Sequence, residues 1–348
     1  MTWVMAAALA SVLGAEIDVP AGSPLAAALA AARPGDVVRL GPGLHAGSLG
    51  RAAGLRVQGA GAGVTIVVAP EGEDAAVATG ALALSGLTLR AGAGRSALKV
   101  LGGDAALEEV ALAGGACGAF LQEGRLSGRH VELEGGYGLL VRSGEAALDE
   151  GSARGASAGV AVLGGTARLR RFAVTGPSHE AGVTVAGGTA SLEAVVIRAP
   201  GPSGLAVSGG GRVEGVEVTI AGATTEAGGF LGDCVQVIRG SVHLTGATLV
   251  RCAGAALEAS GGTVTFDGVD ATGGAAGCLV LVNGAAAELS GNLCKGRGPG
   301  LVVASRASAR LVANRWWTDP VLWADCGGGV RVEVGRGETL RPPCARAP

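Results

Sequence analysis

The chain has 348 residues, of which 65 are Gly and 13 are Pro, and its formal net charge is −2. A near-neutral chain without blocks of like charge argues against a nucleic-acid partner, whose phosphates require a clustered basic face. Hydrophobic residues make up 48% of the chain and the mean hydropathy is +0.44. This apolar content excludes a disordered, Gly-rich linker and indicates a folded protein with a core of small side chains.

The N-terminal run MTWVMAAALASVLGA, residues 1–15, predicts a secretory signal peptide cleaved after Ala15. No Lys or Arg precedes the apolar stretch, so an ordinary apolar N-terminus is the alternative. No later run is long and apolar enough to span a bilayer, because Gly and charged residues interrupt each one. We therefore expect a secreted, periplasmic or cell-surface protein with no membrane span.

Residues 16–40 predict a capping helix and a first strand. Ser23 is an N-cap candidate, Pro24 suits the first helical position, and an Ala-rich stretch follows until Pro34. The segment from Asp36 to Leu40 then alternates polar and apolar residues, as a strand does.

Beyond this segment the chain repeats itself in units of about 22 residues. Each unit ends in a glycine, and one unit of 30 residues is longer than the others. The closing glycines are Gly103, Gly124, Gly144, Gly165, Gly188, Gly210, Gly240, Gly262 and Gly284. Within a unit, short segments alternate apolar and polar residues with period two, which indicates strands rather than helices.

One such unit cannot bury its apolar face alone, so successive units must stack with their strands in parallel, about 4.8 Å apart. The sequence thus predicts an all-β fold, a single right-handed parallel β-helix solenoid of about eleven turns over residues 41–315. The unit length suits three faces per turn. The hexapeptide repeat of left-handed solenoids and the Ca²⁺-binding nonapeptide repeat are both absent.

Several segments resemble the pectin-lyase-like superfamily of right-handed parallel β-helices. They are PGDVVRLGPG at Pro34–Gly43, LRVQGAGAGVTIV at Leu55–Val67, SGNLCKGRGPGLVV at Ser290–Val303 and VANRWW at Val312–Trp317. The resemblance implies a helix capping the N-terminal end and a ladder of stacked side-chain amides at Asn292 and Asn314. It also raises two enzymatic alternatives, a Ca²⁺-dependent polysaccharide lyase and a glycoside hydrolase built on several carboxylates.

The tail, residues 316–348, is expected to form a C-terminal cap, because an open solenoid end exposes strand edges and core. It contains Trp316, Trp317, Trp323, Cys326 and Cys344. Covering the core is the first interpretation of the tryptophans, and a ligand platform is the second.

The chain has seven cysteines and no CxxC pair, so a zinc site is not indicated. In an exported protein we expect disulfides, with Cys326–Cys344 as the best single pair. Cys234, Cys252, Cys278 and Cys294 are further disulfide candidates whose pairing stays open, and Cys117 is the expected odd thiol. The alternative is that all seven are reduced and act as small buried residues.

The best match to a catalytic acid pair is Asp149-Glu150, which lacks a specific basic catalytic partner, and Arg170 is the third catalytic candidate. Aligning the units on their first large apolar residue places Asp149 and Arg170 on an outward ladder with neighbours in adjacent turns. This predicted ladder consists of Glu108, Ser127, Asp149, Arg170, Glu193, Glu214, Thr245, Asp267 and Ser290. Ordinary charge pairing on a solvated face explains most of it. The adjacent Glu193 and Glu214 leave a cation-dependent adhesin as a further alternative.

The 30-residue unit carries an insertion within Gly222–Val235, and loops on a rigid scaffold often hold binding residues. Its candidate binding residues are Thr224, Thr225, Glu226, Phe230 and Asp233. The alternative is a tolerated surface insertion.

We expect an exported, non-catalytic β-helix protein that presents a binding or cell-envelope structural surface, with a polysaccharide or another cell-envelope component as partner. Aromatic residues are only 3% of the chain, and no Trp occurs between Pro20 and Arg315. A groove-type polysaccharide enzyme would normally have an aromatic platform and an acid cluster. No cofactor and no metal ligands are predicted, and Ca²⁺ binding has no motif to support it.

Overall fold

The computed structural model describes residues 14–176, 180–199, 201–224, 232–325 and 329–338. These residues form a right-handed parallel β-solenoid of about 14 turns. The expected β-helix is confirmed, but the expected number of about eleven turns is wrong. The turns before Gly103 lack the regular closing glycines by which the units were counted, and further turns follow Trp317.

Each turn presents three faces, and each face is a stack of parallel strands. The strands confined to the first face are β1 Glu16–Val19, β2 Val37–Leu40, β5 Leu55–Gln58, β14 Thr189–Glu193, β17 Arg212–Val216, β20 Ser241–Thr245, β23 Thr263–Asp267, β26 Ala286–Ser290, β29 Ser308–Val312 and β32 Arg331–Val334.

The second and third faces follow in the same order in every turn. The strands confined to the second face are β3 Gly43–Ala46, β6 Thr65–Val68, β15 Val196–Arg198, β18 Thr219–Ala221, β21 Thr248–Val250, β24 Asp270–Gly273, β27 Leu293–Gly296 and β30 Arg315–Trp317. Those confined to the third face are β4 Arg51–Ala52, β7 Ala76–Ala78, β13 Ala181–Ala186, β16 Ser203–Ser208, β19 Asp233–Ile238, β22 Ala255–Ser260, β25 Gly277–Val282, β28 Leu301–Val303 and β31 Leu322–Ala324.

In the central turns the strands continue around the corners and contribute to two or three faces. They are β8 Leu82–Arg90, β9 Ser96–Ala113, β10 Cys117–Val141, β11 Glu145–Val162 and β12 Thr166–Thr175. Inward and outward side chains alternate along every face, so Leu, Val, Ile and Ala fill the interior and polar residues face outward.

Helix α1, Leu25–Ala31, lies at the N-terminal end of the coil and buries Leu25 completely. The expected capping by Ser23 is wrong: Pro24 is the N-cap residue and no side chain caps the helix. Among the described residues, no helix is long and apolar enough to cross a membrane.

The corner between the first and second faces is a single residue with positive φ. Glycine occupies it at Gly86, Gly246, Gly268 and Gly291, where the left-handed conformation costs nothing. In the turns between, the same corner is formed by Glu109, His130, Glu150, Arg171, Ala194 and Glu217, with φ between 48° and 55°. A side chain at such a φ costs about 1–2 kcal/mol, so the central turns keep a strained corner that the neighbouring turns avoid.

A ladder of side-chain amides runs along this corner near the C-terminal end, as the sequence predicts. Asn292 Nδ2 donates to Asn314 Oδ1 at 2.9 Å, and Asn292 Oδ1 accepts the Val269 backbone N–H at 2.8 Å. Glu338 ends the ladder: one carboxylate oxygen accepts from Asn314, and the other accepts from the Trp316 indole N–H at 2.8 Å.

The C-terminal tail departs from the expected cap. β31 pairs with β28 and β32 pairs with β29, so the coil continues beyond residue 315 instead of stopping there. Trp316 packs against the core. Trp317 and Trp323 are 65% and 51% exposed, so the rings of these two residues do not cover the interior. Cys326 and Cys344, with the disulfide predicted between them, lie outside the described residues.

Two disulfides connect the four cysteines whose pairing the sequence left open. Cys234 is bonded to Cys252 and Cys278 to Cys294, and Cys117 is a free, buried thiol. Each bond begins near the start of a third-face strand, at Cys234 in β19 or Cys278 in β25. Its partner lies in or just after the next second-face strand, so the bond closes one turn of the coil covalently.

Candidate functional site

The three catalytic candidates lie together at the strained corner of the central turns. Asp149 ends the first-face segment of β11, Glu150 is the corner residue itself, and Arg170 occupies the next turn directly above Asp149. Gly151 follows at an inward position and leaves room for the buried Phe172 ring, because a Cβ there would come within 2.8 Å of that ring. Packing beneath the corner therefore requires a glycine directly after the acidic pair.

The two carboxylates are held by arginines on both sides. Arg170 binds Asp149 through two nitrogens, at 2.6 Å and 3.2 Å. Arg171 contacts Asp149 at 2.7 Å and Glu150 at 3.0 Å with the same nitrogen. From the preceding turn, Arg129 Nε lies 3.0 Å from Glu150.

His130 completes this group, which we call the corner cluster: Arg129, His130, Asp149, Glu150, Arg170 and Arg171. Its Nε2 lies 2.8 Å from Glu150 Oε2, and its Nδ1 lies 3.8 Å from Glu108 Oε1. From the sequence, Arg129 and His130 form a polar turn that either a sugar site or an ordinary solvated patch explains, and Arg171 is not predicted as a site residue. The corner positions recur every 20–21 residues, from His130 to Glu150 to Arg171. This spacing is the sequence signal that could have placed His130 and Arg171 beside Glu150.

The arginines fix the ionisation of the acidic pair. The hydrogen bond from Arg170 lowers the pKa of Asp149, and the hydrogen bond from Arg129 lowers the pKa of Glu150. The same bonds raise the pKa of both guanidinium groups. Both carboxyl groups are thus ionised at neutral pH, whereas glycoside hydrolysis by a carboxyl pair needs one of them protonated.

Beside the corner cluster, the first face has a trough of about 500 Å³. Its floor consists of the small outward side chains Ala83, Ala106 and Ser127. Val37 and Arg56 line its N-terminal end, and Glu108 and Arg129 stand along the side next to the corner cluster. A second depression of about 500 Å³ lies on the same face near the C-terminal end, around Thr265, Glu288 and Arg310, far from the cluster.

The register of the first face corrects the predicted ladder at two places. Arg129, not Ser127, lies between Glu108 and Asp149, and Val216, not Glu214, follows Glu193. In both turns a glycine, Gly128 or Gly215, fills the second inward position where other turns have Leu or Phe. The alignment on large apolar residues therefore slipped by two positions.

Because Glu214 pairs with Ser191 and His243 instead, Glu193 and Glu214 do not form the acidic pair on which the adhesin alternative depended. Among the described residues, no group of three or more His, Cys, Asp or Glu side chains is placed to hold a metal ion.

The insertion does not present the predicted binding group on the described surface. Thr225, Glu226 and Phe230 lie outside the described residues, and the Thr224 backbone N–H donates a hydrogen bond to the Gly201 carbonyl. Asp233 begins β19 with only 2% of its surface exposed. Its Oδ1 accepts the Ala255 N–H at 2.6 Å, while Oδ2 has no hydrogen-bond partner within the described part of the chain.

Burial raises the pKa of Asp233 to about 7, and the nearby Glu258 carboxylate adds to the shift. A raised pKa suits a general acid. Since the carboxyl group is closed off from solvent, it cannot reach a substrate in this conformation, and we assign it to the structure of the coil rather than to chemistry.

No family model matches the sequence, and no curated protein matches it significantly. Solved structures do match its fold. The Dettilon tailspike protein gp208 is 15% identical over 86% of this chain and 62% of its own, with a TM-score of 0.52. The catalytic domain of Agl-KA is 13% identical over 89% and 65%, with a TM-score of 0.50.

The A-module of the mannuronan C-5 epimerase AlgE6 from Azotobacter vinelandii is 14% identical over 92% of this chain and 94% of its own, with a TM-score of 0.40. By contrast, this chain spans less than two thirds of the length of the tailspike protein and of the Agl-KA catalytic domain. At these identities the likeness concerns the fold. The chain therefore shares the right-handed parallel β-helix fold with these structures.

Proposed function

We propose that the protein binds a polysaccharide chain along the trough of the first face, without catalysis at the corner cluster. The observation that carries this proposal is the trough itself: a floor of small side chains bordered by charged groups that ion pairs hold in place. A linear ligand lying parallel to the solenoid axis would meet a new set of outward side chains at every turn, about 4.8 Å apart.

The fixed side chains favour binding for an energetic reason. Sugar hydroxyls both donate and accept hydrogen bonds, so they are recognised by carboxylates and guanidinium groups in defined positions. Side chains that are already ordered by Arg129–Glu150 and Arg170–Asp149 contacts lose little further entropy when a ligand binds. The strained corner residues that carry the cluster also suggest a function, since strain of this kind concentrates at functional sites.

The proposal places the protein outside the reducing cytosol, in a secreted, periplasmic or surface location. The two disulfides are compatible with that environment. The AlgE6 module acts, by its name, on a polysaccharide. It is the trough, rather than this likeness, that supports polysaccharide binding here.

Two serines on the middle outward row of the first face provide a matched test. Ser127 is in the trough floor, while Ser191 occupies the same row beyond the trough. We expect Ser127→Trp to fill the trough and abolish binding in calorimetric titrations against a panel of soluble polysaccharides. Ser191→Trp should bind as the unaltered protein does.

Equal loss or equal retention of binding in both variants would place the ligand elsewhere. Reducing ends or unsaturated sugar products released from any panel member would contradict the non-catalytic part of the proposal. Failure of the unaltered protein to bind any polysaccharide would refute the proposed function itself.

A further inference from the structure

The charges on the first face alternate in sign from one turn to the next, over the last two turns of the trough and the two turns beyond it. The charged outward side chains of one turn share one sign, and the sign reverses in the following turn. The charged residues of successive turns are Asp104 and Glu108, Arg125 and Arg129, Glu145 and Asp149, and Arg168 and Arg170, of which Arg168 lies in the middle row in line with Ser127.

Ion pairs between neighbouring turns compensate most of these charges. Arg125 lies 3.4 Å from Glu145, Arg168 also contacts Glu145, and Arg170 binds Asp149 at 2.6 Å. The outward positions of these four turns on the first face hold four carboxylates and four guanidinium groups, so this stretch carries no net charge of either sign.

This alternation has a direct consequence for a charged polymer. An acidic polysaccharide lying along the trough would place carboxylates next to guanidinium groups in one turn and next to carboxylates in the next. The repulsion in every second turn would offset the attraction in the others, and the arginines are already paired. A polycation would meet the same difficulty with the opposite signs.

An uncharged sugar chain avoids this conflict. Each hydroxyl can donate to a carboxylate in one turn and accept from a guanidinium group in the next. We propose that the ligand is a neutral polysaccharide and that the alternating charges of successive turns exclude polyuronates. This inference rests on the proposed polysaccharide-binding function and specifies the class of ligand.

The test measures binding of soluble neutral glucans, mannans and galactans, and of a polyuronate, at low salt and near 1 M salt. We expect at least one neutral polysaccharide to bind with an affinity that salt leaves nearly unchanged, because no net charge is neutralised. The polyuronate should bind about tenfold more weakly or not at all.

Two matched variants test the like-charge explanation. Glu108→Gln removes a border carboxylate whose side chain is 56% exposed, and Glu214→Gln removes a carboxylate from the same face beyond the trough. We expect Glu108→Gln to raise polyuronate affinity relative to neutral affinity by about two- to fivefold at low salt, the range for an exposed charge pair. Glu214→Gln should leave that ratio unchanged.

Preferred binding of the polyuronate by the unaltered protein, with steep salt dependence, would overturn the neutral-ligand inference. The proposed function would survive that result if Ser127→Trp still abolished binding. Identical ratios for Glu108→Gln and Glu214→Gln would also overturn the inference. The absence of any binding would instead refute the proposed function on which it rests.

Discussion

Asp233 should make the stability of this protein fall as the pH rises towards neutrality. Its carboxyl group is buried at the start of β19, with a folded-state pKa of about 7 against an ordinary value of 3.8. The native state therefore keeps a proton that the unfolded chain releases. The stabilising contribution is fully present below pH 3.8 and is lost as the pH rises through about 7.

The magnitude follows from the difference between the two pKa values. About three pKa units at about 1.4 kcal/mol each give at most about 4 kcal/mol of unfolding free energy lost between these limits. The Ala255 N–H contributes in the opposite direction, because it donates to the ionised carboxylate and favours it. This opposing effect is already included in the pKa of about 7, so the figure of about 4 kcal/mol follows from the net shift.

The perturbation is Asp233→Asn, which keeps an acceptor for the Ala255 N–H but cannot ionise. Denaturant unfolding across pH 4–8 should show little difference between variant and unaltered protein at acidic pH, and a more stable variant at pH 8. Glu258→Gln should act in the same direction and less strongly, since Glu258 adds to the pKa shift without causing most of it. Parallel stability curves for Asp233→Asn and the unaltered protein would refute the reasoning.

Two other changes test what fastens the C-terminal turns. Asn292→Leu should lower the free energy of unfolding by roughly 2–6 kcal/mol, because the buried Val269 N–H and Phe266 carbonyl lose their partners. Thermal or denaturant unfolding measures this loss, and a neutral effect would mean that the ladder contributes no net stability. Cys252→Ala should cost about 3 kcal/mol, because Cys234–Cys252 closes an 18-residue loop. Reductant should then destabilise this variant less than the unaltered protein, and an equal effect on both would contradict the assigned role.

Much of the fold could be predicted because its signals are local. The alternation of apolar and polar residues determines which side chains point inward, and the repeat of about 22 residues indicates that each turn must stack on the last. The amide ladder of Asn292 and Asn314 could be anticipated for the same reason: two residues one repeat apart lie directly above one another in a parallel coil.

Local signals failed where a turn departs from its neighbours. Gly128 and Gly215 occupy inward positions without a side chain. An alignment based on hydrophobic residues alone therefore assigned Arg129 and Glu214 to the wrong rows of the first face. Counting turns by their closing glycines likewise missed the less regular turns near both ends. A register that depends on backbone hydrogen bonds between turns is visible only when neighbouring turns are placed together.

The sequence by itself determined the parallel β-helix fold and the stacking of successive turns along one axis. It also determined that Asp149, Glu150 and Arg170 lie near one another in successive turns. Only the tertiary structure decided that Arg129, His130 and Arg171 join them, that four cysteines pair within their own turns, and that Asp233 is buried. The physical reason is that contacts between side chains, burial and pKa depend on residues one turn away, at distances of 2.6–3.4 Å that a 20-residue separation in sequence does not reveal.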